Sequence, residues 1–282
     1  MDFYGKWLVE TEWLAQHLEA PDIVILDTTL YLPIEDRDPL EEYLEEHIPG
    51  ALRFDIDEIA DTASPLPHML PSPEKFASRV RKMGIGDGTR VICYDRQNVY
   101  SAARAWWMFR TMGHEDVAVL NGGFNKWRAE RHPIVSGEAP RRTERHFTPR
   151  RNSVLVRDLG DMKRIMAAGV KQVVDARTAG RFAGTDPEPR KVPRVGHIPG
   201  SKCLPYQKLL NANGTLKMPD EIREAFAAAG IDVAKPVVAT CGSGVTACVI
   251  ALALACIGEE QTMVYDGSWV EWAGADVPVE MG

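Results

Sequence analysis

Short apolar runs alternate with longer helix-like segments along this chain. Residues 236–240, with the sequence PVVAT, are β-branched and apolar, which is typical of a buried strand in a parallel sheet. Residues 247–257 form an apolar segment that is long enough for a helix. Strands that alternate with helices in this way predict an α/β fold in which helices cover both faces of a parallel sheet.

The same pattern occurs twice in the chain. A strand-like run that ends in aspartate lies at residues 24–27 and again at 173–175. Three more pairs of segments match in the same order, at 47–50 with 197–200 (both HIPG), 90–95 with 236–241, and 120–127 with 265–272. A duplicated domain is the simplest explanation. We therefore predict tandem domains at 1–137 and 154–282, joined by a polar linker at 138–153.

The composition is consistent with two hydrophobic cores and argues against some classes of binding partner. The chain has 282 residues, of which 45% are hydrophobic and 26% charged. No apolar stretch approaches the roughly 18 residues needed to span a bilayer, and the first residues lack a signal-peptide pattern, so we expect a cytoplasmic protein. The net charge of −7 argues against nucleic acid or an anionic membrane surface as the main partner.

Cysteine usage points away from disulfides and metals. The five cysteines are an odd number without regular spacing, and no CxxC pair is present. We therefore expect a reducing compartment, no structural disulfide, no zinc site and no other metal.

Cys241 is the strongest candidate for chemistry. It follows the predicted strand at 236–240 and opens the loop Cys-Gly-Ser-Gly-Val-Thr, so it lies at the carboxyl edge of the sheet, where ligands bind in open α/β folds. Gly242 and Gly244 allow successive backbone N–H groups to turn toward one point beside a helix N-terminus. Such a cradle favours a thiolate and would hold a charged sulfur species. The alternative is a buried structural cysteine in a tight turn.

Only the second repeat carries this nucleophile. Asp95 occupies the equivalent position in the first repeat, and the loop after it lacks both glycines. We therefore predict one reactive centre per chain. The remaining cysteines are predicted to fill the core; these are Cys93, Cys203, Cys248 and Cys256.

These features together resemble the rhodanese superfamily. The tandem halves, the paired HIPG turns, the nucleophile loop in the second half only and the sequence DGSW at 266–269 carry the resemblance, which extends from about Trp7 to Val279. The neutral loop after Cys241 is similar to that of the 3-mercaptopyruvate sulfurtransferases of this family, whereas thiosulfate sulfurtransferases tend to carry basic residues there. A neutral loop also suits a donor whose charge lies two carbons from the sulfur.

The resemblance assigns the donor's carboxylate to Arg181 and Arg190. Both are expected in an irregular loop after the strand that ends at Asp175, and two guanidinium groups can hold the carboxylate and ketone oxygens of a 2-keto acid. From the residues alone they would be solvated surface arginines. Arg177, which follows Asp175 closely, is expected to form a structural ion pair or a hydrogen bond to the loop. Loop residues expected to line the substrate site are Gly242, Gly244, Val245 and Thr246.

A proton relay is the last expected component of the site. Ser243, His68 and Asp57 match a Ser-His-Asp arrangement proposed for the resembling enzymes, and a histidine oriented by a carboxylate can pass a proton to a hydroxyl. This relay requires the first domain to close over the loop of the second. Alternatively, His68 hydrogen-bonds to the backbone and Asp57 caps a helix.

The resemblance implies a sulfurtransferase without a cofactor. Cys241 would take sulfur from 3-mercaptopyruvate, release pyruvate and pass the sulfur from a persulfide to cyanide, a small thiol or a dithiol protein such as thioredoxin. A thiosulfate sulfurtransferase and a non-catalytic persulfide carrier remain alternatives. A cysteine phosphatase would need arginine six residues after the nucleophile, where this chain has Ala247.

Overall fold

The chain folds around two parallel sheets. The computed structural model describes residues 5–169 and 171–282. The first sheet has the strand order β1-β5-β4-β2-β3 and the second β6-β10-β9-β7-β8, and every pairing within them is parallel. The strands are β1 (Leu8–Val9), β2 (Ile23–Asp27), β3 (Leu52–Arg53), β4 (Arg90–Tyr94), β5 (Val117–Leu120), β6 (Val156–Arg157), β7 (Gln172–Asp175), β8 (Lys202–Cys203), β9 (Val237–Thr240) and β10 (Met263–Tyr265).

Helices connect the strands and cover the sheets. They are α1 (Thr11–Gln16), α2 (Pro39–Glu45), α3 (Ile56–Ile59), α4 (Pro73–Lys82), α5 (Ala102–Thr111), α6 (Gly123–Ala129), α7 (Leu159–Ala168), α8 (Ala179–Ala183), α9 (Pro219–Ala228), α10 (Ala247–Cys256) and α11 (Ser268–Gly274), with 3₁₀ turns at Gly5–Trp7, Ser153–Leu155 and Tyr206–Leu209. Over residues 5–169 and 171–282, none of the helices has the length and apolar character needed to cross a bilayer.

The two sheets repeat one topology. Replacing β1 to β5 by β6 to β10 converts the first strand order into the second. The HIPG segments also correspond: His47 bridges to Val135 and His197 to Glu280, each at the edge of its own half. The predicted α/β fold with two tandem halves of one topology is confirmed. The domain boundaries at 137, 138 and 153 stay a prediction.

Two buried helices join the halves. Every residue of α5 and of α10 is buried; α10 is apolar throughout, whereas α5 also contains Arg104 and Arg110. The two helices pack on each other while each also packs on its own sheet. As a result, one hydrophobic cluster runs through both halves. The contact brings the first half against the carboxyl edge of the second sheet, where β9 ends.

The segment predicted as a linker is attached to the first half. The Phe147 side chain is buried, and its carbonyl accepts hydrogen bonds from Arg81. Thr148 bonds to Asp87 through both its N–H and its hydroxyl group. These contacts attach the segment to the end of α4 and the turn before β4, so its polar composition does not make it a free tether.

Candidate active site

Cys241 lies at the base of a cleft between the halves. It is the first residue after β9, and its side chain is buried. The cleft has a volume of ≈450 Å³ and is lined from the second half mainly by the loop after β9 and by the segment around α8. The first half contributes Leu32, Ile34 and Tyr100 to its walls. A donor molecule must therefore enter between the two halves to reach the sulfur.

The backbone of the Cys241 loop is fixed from one side. The Cys241 carbonyl accepts a hydrogen bond from the Trp269 N–H at 3.0 Å, and the Gly242 carbonyl accepts one from the Val270 N–H at 3.0 Å. In a planar trans peptide the N–H points opposite to the C=O. The N–H groups of Gly242 and Ser243 are therefore directed away from α11, toward the side on which the loop lines the cleft.

Several amides of this loop remain available for a ligand. Within the described residues, the N–H groups of residues 242–247 donate to no backbone or side-chain acceptor. They lead into the N-terminus of α10, whose dipole adds partial positive charge. Gly244 has a φ of +81°, and a Cβ there would lie 2.6 Å from the Asp266 carbonyl oxygen, so this turn requires glycine. Together these features form an anion cradle around Cys241.

In the first half, amides of the corresponding loop bind a side chain of the loop itself. The Asp95 carboxylate accepts the N–H of Gln97 and of Ala102, each at 2.7 Å. Burial raises the pKa of Asp95 to about 6, against the lowering effect of these amides. Position 95 therefore holds an anion in the place where the second half holds a sulfur, which supports the assignment of the Cys241 loop as an anion site.

We expect the buried Asp95 to make stability pH-dependent. Its folded-state pKa of about 6 exceeds the ordinary value of 3.8, so the folded protein holds this proton more tightly than the unfolded chain does. Stability should fall as pH rises from about 4 to about 6, and this contribution should be absent in Asp95→Asn. Urea unfolding of both proteins at pH 4 to 7 should show the wild type losing roughly 2 kcal/mol relative to the variant. Parallel profiles would contradict this assignment.

Arg181 and Arg190 both line the cleft. The expectation of an irregular loop is wrong for Arg181, which lies on α8; Thr178 caps this short helix, and Gly184 ends it in the left-handed conformation. Glu188 engages the Nε and Nη2 atoms of Arg181 at 3.0 and 2.5 Å. The guanidinium group therefore keeps only its other edge for a ligand.

Arg190 has more hydrogen-bond donors available for a ligand than Arg181 has. Its Nη2 contacts Nε2 of His68 at 2.7 Å, and its buried Nε has no hydrogen-bond partner within the described residues. A buried donor without a partner is costly, so a ligand acceptor at this position would be stabilising.

Arg177 has the structural role predicted for it. The fully buried guanidinium pairs with Asp175 at 2.7 Å and with Glu188 at 2.6 Å, and it donates to the Gly196 carbonyl. It also lies 4.6 Å above the Trp269 ring. Glu188 thus joins Arg177 to Arg181, so a buried carboxylate orients one of the two arginines expected to bind substrate.

Two of the three expected relay residues are in contact. Nδ1 of His68 hydrogen-bonds to Asp57, while Nε2 faces Arg190. Burial would raise the pKa of Asp57, but the hydrogen bond and charge of His68, with Arg190 and Arg104 nearby, hold it below its usual value. Asp57 is not the helix cap, because Asp55 caps α3.

Ser243 lies on the cleft wall, apart from this pair. Within the described residues, no hydrogen bond joins the Ser243 hydroxyl to His68 or Asp57. Arg190 occupies the histidine nitrogen that the relay would use. The relay through Ser243 stays a prediction.

The other cysteines are not at the base of the cleft. Cys93, Cys248 and Cys256 are buried, as predicted, and burial raises the pKa of Cys248 to about 12. Cys203 differs from the prediction, because it is only half-buried on the edge strand β8, with its thiol near the Arg177 carbonyl. Burial raises its pKa to about 11, so it is a poor nucleophile at neutral pH. Within the described residues, no group of three or more His, Cys, Asp or Glu side chains is arranged to hold a metal ion.

Sequence reasoning missed two charged residues of this region. Glu188 is two positions before Arg190, and an acidic residue among the loop arginines was the available signal. Arg104 lies in the apolar segment AARAWWMF, where a charge in a buried helix indicates a specific buried partner. Neither signal identifies the partner, because the contacting groups are distant in sequence.

Comparisons with known proteins agree with this geometry. A family model described as a rhodanese-like domain matches residues 10–130 and 158–275. The 3-mercaptopyruvate sulfurtransferase of Homo sapiens is 44% identical over 94% of this chain and 91% of its own length. The mitochondrial thiosulfate/3-mercaptopyruvate sulfurtransferase 1 of Arabidopsis thaliana is 41% identical over 97% and 78%. The crystal structure of SseA from Escherichia coli, a 3-mercaptopyruvate sulfotransferase by its description, superposes with a TM-score of 0.85 at 40% identity, covering 93% of this chain and 98% of SseA.

Proposed function

The chain belongs to the rhodanese-like family, and from that premise we propose that it is a 3-mercaptopyruvate sulfurtransferase. One observation carries the proposal: a cysteine in a cradle of unpartnered amides shares a single cleft with two arginines, Arg181 and Arg190. The cradle suits an anionic sulfur, and the arginines suit the carboxylate of a small keto acid.

We propose that the donor binds to the sides of the Arg181 and Arg190 guanidinium groups that other side chains do not occupy. Glu188 occupies one edge of Arg181, so the donor's carboxylate meets the opposite edge. The unpartnered Nε of Arg190 supplies a further donor for the carboxylate or the ketone oxygen. Gly242, Val245 and Thr246 line the cleft beside Cys241, and we place the mercapto carbon against them. Gly244, which was expected to line the site, faces Asp266 and Arg104 and shapes the turn.

Sulfur transfer follows from the chemistry of a thiolate. The Cys241 thiolate attacks the donor sulfur, an S–S bond forms, and the C–S bond breaks with its electron pair moving to carbon. The leaving group is the enolate of pyruvate, which takes up a proton to give pyruvate. Cys241 is left as a persulfide, and its outer sulfur is held by the loop amides. These steps use no metal or organic cofactor, because sulfur itself carries the transferred group.

We assign proton delivery to the region of His68. Its ring is oriented by Asp57, and Arg190 contacts the nitrogen that faces the cleft side. When a donor carboxylate draws Arg190 into the cleft, this nitrogen becomes free to exchange a proton, with the Ser243 hydroxyl as the proposed link to the enolate.

A second substrate removes the sulfur. A thiol, cyanide or a dithiol protein such as thioredoxin attacks the outer sulfur and regenerates the Cys241 thiolate. The cytoplasm is the proposed location, and this is supported by an odd number of cysteines without regular spacing, a pattern typical of proteins in reducing compartments. If the protein were only a persulfide carrier, turnover with any small donor would be slow.

Thiosulfate is the competing donor, because the plant relative carries both names. The cleft argues for mercaptopyruvate. Thiosulfate is a dianion with its charge next to the reacting sulfur, whereas the loop after Cys241 has no basic residue to bind that charge.

Turnover of the two donors tests the proposal. With cyanide as the common acceptor, we expect kcat/KM for 3-mercaptopyruvate to exceed that for thiosulfate by at least about tenfold, a difference of 1.4 kcal/mol in transition-state binding. A preference for thiosulfate would assign the protein to the other activity. Negligible turnover of both donors would support the carrier.

A further inference from the structure

A fully buried arginine from the first half reaches the loop that holds the nucleophile. Arg104 lies on α5, and its side chain has 0% exposure. Its Nη1 donates to the Gly244 carbonyl at 3.2 Å, and its Nη2 pairs with Asp266 at 2.7 Å and contacts the His68 carbonyl. The guanidinium plane also lies over the Trp107 ring, 4.5 Å from its centroid. One side chain thus joins the Cys241 loop, the end of the second sheet and the His68 segment.

The hydrogen bond to Gly244 has a direct consequence for the cradle. Because the peptide is planar, holding the Gly244 carbonyl on the Arg104 side directs the Val245 N–H to the opposite side, where the loop lines the cleft. The thiol of Cys248 donates to the same carbonyl at 3.2 Å. Trp269 and Val270 fix the two earlier carbonyls of the loop from α11, so Arg104 fixes the part of the loop that α11 does not reach.

The same arginine anchors the segment that carries His68. Asp266 accepts the Leu70 N–H at 2.8 Å while it pairs with Arg104. His68 has a φ of +60°, which is unusual for a residue other than glycine, and its carbonyl faces Arg104. Arg104 and Asp266 therefore hold the backbone on both sides of Met69 and place the His68 ring beside Arg190.

We propose that Arg104 is a positioning residue for the sulfur-transfer site: it orients the Gly244–Val245 peptide so that the cradle faces Cys241, and it sets the His68 segment against the cleft. For its kinetic consequence the inference rests on the proposed function. The repeat that lost its nucleophile thereby keeps a role, because its buried helix supports the loop of the other repeat. Val249, the third residue of α10, is the equivalent of Arg104 in the second half and is apolar, so α10 offers no corresponding charge to the first half.

Arg104→Lys is the most direct test. Lysine keeps the positive charge opposite Asp266, but its single ammonium group cannot replace the planar guanidinium group, which contacts two carbonyl groups and a carboxylate. Removing a preorganised hydrogen-bond donor from an active site lowers kcat by about 10²–10³-fold, so misaligning one should lower kcat by at least about tenfold. We expect kcat with 3-mercaptopyruvate to fall by that factor while KM changes less than about threefold, since Arg181 and Arg190 remain.

Arg110→Lys is the matched control. Arg110 lies on the same helix and is nearly buried, and it also reaches the second half by donating to the Glu260 carbonyl at 3.0 Å, but it is remote from the cleft. We expect both variants to lower the melting temperature and only Arg104→Lys to lower kcat. Equal kcat values for the two variants would overturn the proposal.

A chemical readout separates this inference from the proposed function. An anion cradle favours iodoacetate over neutral iodoacetamide, and mass analysis of the Cys241 peptide gives both alkylation rates without any sulfur transfer. We expect their ratio to fall about threefold in Arg104→Lys and to stay unchanged in Arg110→Lys. An unchanged ratio in both variants would refute the positioning role even if the donor assignment holds. A reduced ratio would support it even if 3-mercaptopyruvate is not the donor.

A double variant covers the case in which Arg104→Lys does not fold. Arg104→Gln/Asp266→Asn removes both buried charges together, which avoids leaving Asp266 unpaired. We expect it to fold and to show the same fall in the alkylation ratio. A folded double variant with the wild-type ratio would refute the proposal.

Discussion

Cys241→Ala should reduce pyruvate release from 3-mercaptopyruvate by at least roughly 10⁴-fold, the scale seen when a covalent nucleophile is removed from an enzyme. Among the residues that the structure describes, no second cysteine lines the cleft to take over the attack on sulfur, because the remaining cysteines are buried elsewhere or lie on the edge strand β8. The rate of pyruvate formation, measured at saturating donor and acceptor, gives the value.

Cys203→Ala is the control for this substitution. Its thiol is half-buried, which makes it the most accessible cysteine outside the cleft. We expect its kcat to lie within about twofold of the wild type, because surface substitutions away from special features usually have small effects. Full activity in Cys241→Ala would exclude the covalent mechanism.

Arg190→Ala should have the second-largest effect, and it should act mainly on KM. The substitution removes charge-assisted hydrogen bonds to the donor, each worth about 1.5–3 kcal/mol, so we expect KM for 3-mercaptopyruvate to rise roughly 10- to 100-fold. Because Arg190 also contacts His68, kcat should fall as well, by a smaller factor. Steady-state kinetics with 3-mercaptopyruvate separates the two parameters.

Lys191→Ala provides the charge-matched control. Lys191 is the exposed neighbour of Arg190, so its removal changes the net charge of the segment equally without touching the cleft. We expect its KM to match that of the wild type. If KM rises equally in both variants, long-range charge rather than direct contact determines donor binding.

The fold could be predicted where the chain repeats a strong local pattern. The strand at Val237–Thr240 and the helix at Ala247–Cys256 lie within a residue of the predicted ends, because a β-branched run and a long apolar segment differ in length. α8 could not be predicted in this way. Its five residues are too few to show helical periodicity, and its bounds depend on the Thr178 cap and Gly184.

The site was predictable in part for a similar reason. The placement of Cys241 is local, since it depends on the strand before it and the glycines after it. Pairings such as Arg104 with Gly244, 140 positions apart, depend on how the halves pack. The sequence shows which residues these are and in which repeat they lie, but only the packing of α5 on α10 brings them together.

The role of Asp95 could be interpreted from the structure but not from the sequence repeat alone. The repeat alignment identified a missing nucleophile. The structure adds that the amide cradle persists and that the aspartate fills it, through Gln97 and Ala102. The two corresponding loops thus hold a carboxylate in one half and a sulfur in the other.

A persulfide on Cys241 is the central claim, and mass analysis measures it directly. The protein is exposed to 3-mercaptopyruvate without an acceptor, and the peptide that contains Cys241 is weighed before and after addition of cyanide. The persulfide mechanism predicts a gain of one sulfur atom on this peptide, matched by one released pyruvate, and loss of that sulfur on adding cyanide. Pyruvate release with an unmodified Cys241 peptide would contradict it.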